Sequence, residues 1–498
     1  MAEPKQTKKK KTTTTTDHIV MLPFMAHGHL IPFLSLANLI HERSNHTVVV
    51  TIASTPHNIQ FLKSTISEDA VVNTDDESDR RYRKLRFAEL AFSSVDQSLP
   101  PDVENTEKLP PSEIPKLTVA SPSLEGPLRR LISEIREEGD EVLCIVSDVF
   151  FGWVTEVAKS VGTRNVTFST AGAYGILAYI SVWCNLPHKK TDSEDFWVPG
   201  FPENYRFHCS QLHKFIREAN ESDAWSSFFR SQISLSVNSD GWICNTIEEI
   251  EPLGLQLLRN YIHRHPVWPI GPIFPLNNDY SNAKKSSITL ERCIEWLDSK
   301  DLNSVLYISF GSQNSISESQ MMALAMGIEE SEKNFIWVIR PPLGFATVDD
   351  DEQQAFRLSE SWFLPQGFEE RTRKKGLLIR NWAPQLEILS HRSICAFLSH
   401  CGWNSVLESL SHGVPIIGWP IAAEQSYNSK MLMEEMGVSV EITRTVETTV
   451  SGKEVKKVIE MVTEQEEGKG KEMKKRAMEI AEVMRKAKEE NGEKKDPQ

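Results

Sequence analysis

The chain has 498 residues, with 55 Lys and Arg against 69 Asp and Glu, a formal net charge of -14 and a pI near 5.6. That length exceeds one ordinary hydrophobic core, so two domains of about 200 residues each are expected. The acidic balance argues against nucleic acid or an anionic membrane surface as partner, since both demand a basic face.

In chain order, residues 1–16 are a basic, Thr-rich stretch without a following apolar segment, read as a disordered tail. Asp17 to Ala26 forms a first buried strand, HGHLIP a loop, Phe33 to Arg43 a helix and His46 to Ala53 a second strand. This order opens a parallel α/β domain. Periodicity fades between about Thr74 and Glu137, and returns with a strand from Glu141 to Phe150 that carries Asp148, a helix in FGWVTEVAKSVG and a strand in NVTFST. Asp240 to Pro252, DGWICNTIEEIEP, is a strand leading into a helix. The Pro-, Asn- and Ser-rich run 270–290 marks a linker, which gives a first domain at 17–269, a second at 291–470 and a final helix and tail at 471–498. The second domain opens with a strand, Ser304 to Ser312, that ends in a Gly-Ser turn. A helix over about 317–331 and a strand in NFIWVIRPP follow.

Asp349-Asp350-Asp351 lies in a polar insertion and reads as a solvated acidic loop rather than a metal site; no metal is expected. The seven cysteines are an odd set without a CxxC pair, several inside apolar runs, and read as reduced, buried thiols in a cytoplasmic protein. No run reaches the ~18 to 20 consecutive apolar residues of a bilayer span, and a monomer working on small molecules is expected.

The informative stretch is Trp382 to Gln425. Ile394 to His400 reads as a buried strand, Cys401-Gly402 as a sharp turn and Trp403 to Gly413 as a helix closed by glycine. The unpaired N–H groups and positive dipole end of such a helix favour an anion, most simply a phosphate. His400, Asn404 and Ser405 add donors beside it, and Glu408 lies one turn further on the same face, suited to a ribose diol. Trp382 offers a flat face to a nucleobase, and Glu424-Gln425 offer acceptors and an amide to sugar hydroxyls.

The runs WAPQ, HCGWNS, LES, GVP and the closing acid-Gln pair resemble the signature of the plant UDP-sugar-dependent family 1 glycosyltransferases. The resemblance implies a GT-B-like α/β fold, two facing Rossmann-like domains with parallel sheets and an interdomain cleft. It implies that Trp382 and Gln385, with Ala383 between them, hold uracil, that Glu408 holds ribose, and that His400, Asn404 and Ser405 hold the diphosphate. Trp403, Glu424 and Gln425 would meet the sugar, and Ser312 would face the nucleotide. The Trp403 and Gln425 identities resemble glucose-using members, so UDP-glucose is the expected donor. NTIEEIEP resembles a further family stretch. Cys395-Ala396 stands where the family usually has two small residues, commonly glycines; both are still small, and the strand is expected to survive.

Transfer also needs a base for the acceptor hydroxyl. The residues alone do not decide between His27 and His29; the resemblance selects His29, in Gly28-His29-Leu30-Ile31-Pro32, with Asp148 as its acid partner. The helix cap is an open alternative for Asp148. The resulting expectation is inverting, metal-independent sugar transfer to a small apolar acceptor such as a flavonoid, other phenolic or terpenoid, with the helix terminus and His400 meeting the diphosphate charge. Rival readings are a non-catalytic nucleotide-sugar-binding protein and a UDP-sugar epimerase or hydrolase. Phe196, Trp197, Trp225, Phe228 and Phe229 fall where the family builds its acceptor pocket, without individual assignment.

Overall fold

The computed structural model describes residues 16–493 apart from 45–47, 67–84, 95–96, 101–102, 108, 221, 275–286, 314, 342–362, 445–447 and 465–466. The Asp349-Asp350-Asp351 run, nearly all of the N-terminal tail and most of the expected linker lie outside the described residues.

The first half builds β1 (Asp17–Leu22), β2 (Val48–Ser54), β3 (Arg86–Glu89), β4 (Glu141–Asp148) and β5 (Arg164–Ser169). A small antiparallel pair, β6 (Asp195–Phe196) and β7 (Phe207–His208), precedes β8 (Gly241–Cys244) and β9 (Val267–Pro269). Apart from that pair, these strands form one parallel sheet in the order β3-β2-β1-β4-β5-β8-β9. Runs such as VVVTIAS make central strands because both faces are covered, which suits continuous β-branched residues rather than alternation.

The second half repeats the plan with β10 (Val305–Ser309), β11 (Asn334–Ile339), β12 (Gly376–Arg380), β13 (Ile394–Ser399), β14 (Ile416–Gly418) and β15 (Ser439–Glu441), all parallel in the order β12-β11-β10-β13-β14-β15. Strand β13 forms with Cys395 fully buried, its thiol directed at the Val305 carbonyl at 3.2 Å.

In each sheet the first strand lies beside a strand that follows much later: β1 beside β4 and β10 beside β13. Leu22 is in register with Ser147, and Ser309 with Ser399. Such switch points open a crevice at the carboxyl ends of the strands, and each domain contributes one.

Five helices matter below: α1 (His27–Arg43), α2 (Ala173–Asn185), α3 (Trp403–Ser411), α4 (Gln425–Glu434) and α5 (Gly468–Glu493). Helix α1 starts six residues earlier than the sequence suggests, absorbing HGHLI as its first turn and carrying Pro32 inside it. The expected boundary at residue 470 cuts α5. This helix packs on α3, and its Ala477 and Met484 share an apolar cluster with Trp242 and Ile250 of the first domain. The last helix is therefore fastened to both domains. All seven cysteines are free thiols, four of them buried. Among the described residues no helix is long and apolar enough to cross a membrane.

Candidate active site

At the end of β13 the chain turns through Cys401, whose φ is +63°, and then Gly402, which is the N-cap of α3 at φ -63°. The left-handed residue of the turn is thus the cysteine. The glycine is needed for space, because a Cβ on Gly402 would collide with His400 Nε2. Gly311, after β10, makes the same room on the other side, where a Cβ would lie 2.7 Å from the imidazole. Gly402 has no side chain to cap α3; the Trp403 N–H meets the Glu424 carboxylate, and the N–H groups that follow in the first turn are left for a ligand.

His400 is buried, with Nδ1 lacking a hydrogen-bond partner, and burial with the nearby Arg340 charge pushes its pKa down to about 4. At neutral pH it is an uncharged donor. In the ligand-free cleft His400 therefore brings a hydrogen-bonding imidazole rather than a charge to the place expected for the diphosphate. Arg340, just past the end of β11, lines the same cleft. Burial lowers its pKa to about 10, still cationic at pH 7, and its Nε donates to the Asn381 carbonyl at 3.1 Å. Sequence reasoning misses Arg340, whose only signal is its place at a strand end.

The residues expected to meet the nucleoside are tied to one another before any ligand arrives. Gln385 Nε2 donates to Ser405 Oγ at 2.9 Å and to Glu408 Oε2 at 2.5 Å, while Tyr307 Oη donates to Gln385 Oε1 at 3.2 Å. Burial raises the Glu408 carboxyl to about 7, opposed by the Gln385 bond and assisted by Glu387. Trp382 follows a left-handed Asn381 (φ +70°), and Ser312 follows a left-handed Gly311 (φ +77°). At the far end, Gln425 Oε1 accepts the Ile421 and Ala422 N–H groups, each at 2.9 Å, which commits the carbonyl to the turn and leaves the amide nitrogen as donor. Glu424 accepts from Asn428 Nδ2 at 3.2 Å. Ser312, Trp382, Ala383, Gln385, His400, Trp403, Asn404, Ser405, Glu408, Glu424 and Gln425 all line one cleft between the domains.

Trp403 is placed differently from a sugar-facing ring. Its indole is buried and its Nε1 donates to the Asn245 carbonyl of the first domain at 2.7 Å. The side chain is engaged with the opposite domain, and its backbone N–H at the start of α3 meets the Glu424 carboxylate.

The first domain brings His29 to the same cleft from the opening turn of α1. His29 Nδ1 lies 2.7 Å from Asp148 Oδ2, with Asp148 fully buried and the His29 side chain 23% exposed. The other Asp148 oxygen accepts the Phe150 N–H at 3.1 Å. One carboxylate therefore serves as both turn cap and histidine partner. Burial works against charging His29, but the Asp148 charge and hydrogen bond outweigh it, with Glu424 adding, and the pKa is raised. His27 instead stacks on Phe61 at 4.0 Å, with Nε2 3.8 Å from Glu107. The structure separates two histidines that the sequence could not.

The aromatics singled out for the acceptor pocket do not line the cleft. Phe196 and Phe229 are core, Trp225 packs edge-on against Trp183, and Trp197 donates to the Phe201 carbonyl. The apolar wall comes from Phe61, Phe150, Ile176, Tyr179 and Phe274. Phe229 backs Phe150 from behind at 5.3 Å.

Family models match both halves of the chain: "Glycosyltransferase, N-terminal domain" over residues 17–275 and "UDP-glucoronosyl and UDP-glucosyl transferase" over residues 221–485. UDP-glycosyltransferase 92A1 of Arabidopsis thaliana is 42% identical over 94% of this chain and 92% of its own length, and crocetin glucosyltransferase 3 of Crocus sativus is 42% identical over 92% of each. The Glycyrrhiza uralensis UGT73P12 structure, complexed with glycyrrhetinic acid 3-O-monoglucuronide, superposes with a TM-score of 0.76 at 26% identity, covering 95% of this chain and 92% of that one. With a donor box on one side of the cleft and a His–Asp pair on the other, the chain belongs to the UDP-glycosyltransferases of the UDP-glucoronosyl and UDP-glucosyl transferase family and has their GT-B fold.

Proposed function

We propose that the chain transfers glucose from UDP-glucose to a hydroxyl of a small apolar acceptor, with inversion and without a metal. The observation that carries this reading is the 2.7 Å contact between His29 Nδ1 and Asp148, in a cleft whose opposite wall is the uncapped start of α3. Asp148 holds the Nδ1 proton and leaves Nε2 free to take the acceptor proton. The deprotonating oxygen attacks the anomeric carbon from the first-domain side while UDP departs toward α3, so an α-linked donor gives a β-glycoside. The α3 N–H groups, neutral His400 and cationic Arg340 supply stabilisation of the departing diphosphate that would otherwise call for a cation. Trp382, Ala383 and Gln385 would hold uracil, Glu408 ribose, Ser312, Asn404 and Ser405 the phosphates, and Glu424 with Gln425 the sugar. The apolar wall around Phe61, Phe150 and Tyr179 favours a flat or bulky apolar acceptor.

UDP release tests this with UDP-glucose, UDP-galactose and UDP-glucuronic acid against a panel of phenols, carotenoid acids and terpenoid alcohols, with and without EDTA. UDP-glucose is expected to be preferred, EDTA to change turnover by less than about twofold, and the product to carry a β-anomeric proton. His29→Ala is expected to abolish transfer while UDP affinity stays within about threefold. Equal loss of both would make His29 structural.

A further inference from the structure

Helix α1 contains an interior proline. Pro32 has no N–H, so the carbonyl four residues earlier, that of Gly28, loses its helical partner. A carbonyl left in that state at a half-buried position is costly unless something else donates to it. The donor is Asn404 Nδ2, which crosses from the first turn of α3 and reaches the Gly28 oxygen at 3.0 Å. Gly28 is next to His29, and Asn404 stands at the N-terminus assigned to the diphosphate. The hydrogen bond therefore joins the residue before the base to the residue beside the leaving group. Trp403, one position earlier, makes the parallel link to Asn245, whose side chain also holds Ile273 N–H at 2.7 Å where the chain leaves the first domain.

We propose that Pro32 is a positioning residue: by withholding its N–H it reserves the Gly28 carbonyl for Asn404, and this bond sets His29 against the bound UDP-sugar. An amide has two N–H groups, so Asn404 can hold Gly28 with one and a phosphate oxygen with the other. Donor occupancy and base position are then fixed by one side chain. The inference rests on the reading of His29 as base.

The test is Pro32→Ala in the full chain. Alanine restores the N–H, which competes for the Gly28 carbonyl, and it also improves the helix. A merely structural proline would leave kcat alone. The expected result is a Tm unchanged or raised, UDP affinity within about threefold, and kcat lowered about tenfold or more, since small displacements of a reacting group cost up to ~10²-fold. Amide exchange over 27–31 provides a readout independent of turnover. UDP should slow it in the wild type and have little effect in Pro32→Ala. Wild-type kcat in Pro32→Ala, or the same UDP-dependent protection in both proteins, overturns the proposal. Failure of the base reading itself is distinguishable, because His29→Ala would then retain transfer. Trp403→Phe removes the neighbouring tie but keeps an aromatic ring. Combined with Pro32→Ala it should lower kcat further while UDP affinity holds; a combined loss of UDP affinity and Tm would assign both residues to folding alone and overturn the proposal.

Discussion

Replacing Asp148 by asparagine exchanges one carboxylate oxygen for an NH2 group and tests three consequences of the His29 contact together. The carbonyl oxygen of the introduced amide can still accept the Phe150 N–H now held at 3.1 Å, so the turn survives. Its NH2 group then faces His29 Nδ1 across the 2.7 Å contact and can only donate. Nδ1 must become the acceptor, the imidazole proton moves to Nε2, and the nitrogen that should receive the acceptor proton is blocked. General-base assistance is worth about 10² to 10⁴-fold, so kcat should fall by that factor, roughly 3 to 5 kcal/mol of barrier. Stability should change by about 1 kcal/mol, the size of one net hydrogen bond. The pH dependence follows from the causes acting on His29. Burial lowers its pKa and Asp148 raises it by more, so the wild-type acid limb of kcat/KM lies above the ordinary value of 6.5. The base works when neutral, and activity is lost as pH falls through that raised pKa. In Asp148→Asn burial remains without the carboxylate, and the residual activity should keep its acid limb to lower pH. Folding shows the matching linkage: the stability gained from protonated His29 is complete below about 6.5 and lost as pH rises through the folded pKa, and the variant should lack it. Stopped assays across about pH 5 to 9, spanning the histidine range, with UDP calorimetry and thermal melts, measure each quantity. A kcat within threefold of wild type, or an acid limb that moves upward, would refute the reasoning.

Glu408 carries a carboxyl raised to about 7 by burial, and ribose hydroxyls donate best to its ionised form, so UDP affinity should rise with pH through about 7 and then level off. Glu408→Ala should weaken UDP binding about tenfold and flatten that profile; a flat wild-type profile by calorimetry would exclude the ribose role. Before UDP binds, the folded chain holds a proton on Glu408 that the unfolded chain has released, so this group makes stability decline as pH rises from about 4.5 to 7, readable in melts of wild type against Glu408→Gln. Gly402→Ala drives a methyl into His400 Nε2 with no φ penalty to confuse the result. The ring should be displaced, with a stability loss of about 1 to 3 kcal/mol and UDP affinity at least about tenfold weaker. Unchanged UDP affinity would show that the imidazole is not a phosphate donor.

The donor side is legible because it is local: β13, the turn and α3 follow one another, and the chemistry of a strand, a tight turn and an uncapped helix can be read from WAPQ through GVP without knowing the rest of the fold. His29 and Asp148 are legible as strand-end residues, but choosing between His27 and His29 requires the register of β1 beside β4, which brings Asp148 to one histidine and leaves the other on Phe61. The start of α1 is hidden because an interior proline reads in sequence as a sign of loop. The cross-domain bonds from Trp403 and Asn404 span 158 and 376 residues, and no periodicity or spacing encodes such a pair.

The apolar wall proposed for the acceptor shows why that half of the specificity is hidden. Phe61 follows β2, Phe150 follows β4, Tyr179 lies in α2 and Phe274 sits just past β9, so each comes from a different connection and none needs a fixed neighbour. An apolar residue at a strand end looks the same in sequence whether it fills a core or faces a substrate. The residues proposed for the donor, by contrast, hold one another: Gln385 binds both Ser405 and Glu408, and Gln425 binds its own turn. Changing one disturbs the rest. It follows that acceptor choice can shift by single substitutions in the first domain while the donor box stays intact, and substitutions at Phe61 or Tyr179 should redistribute activity across an acceptor panel without altering UDP affinity.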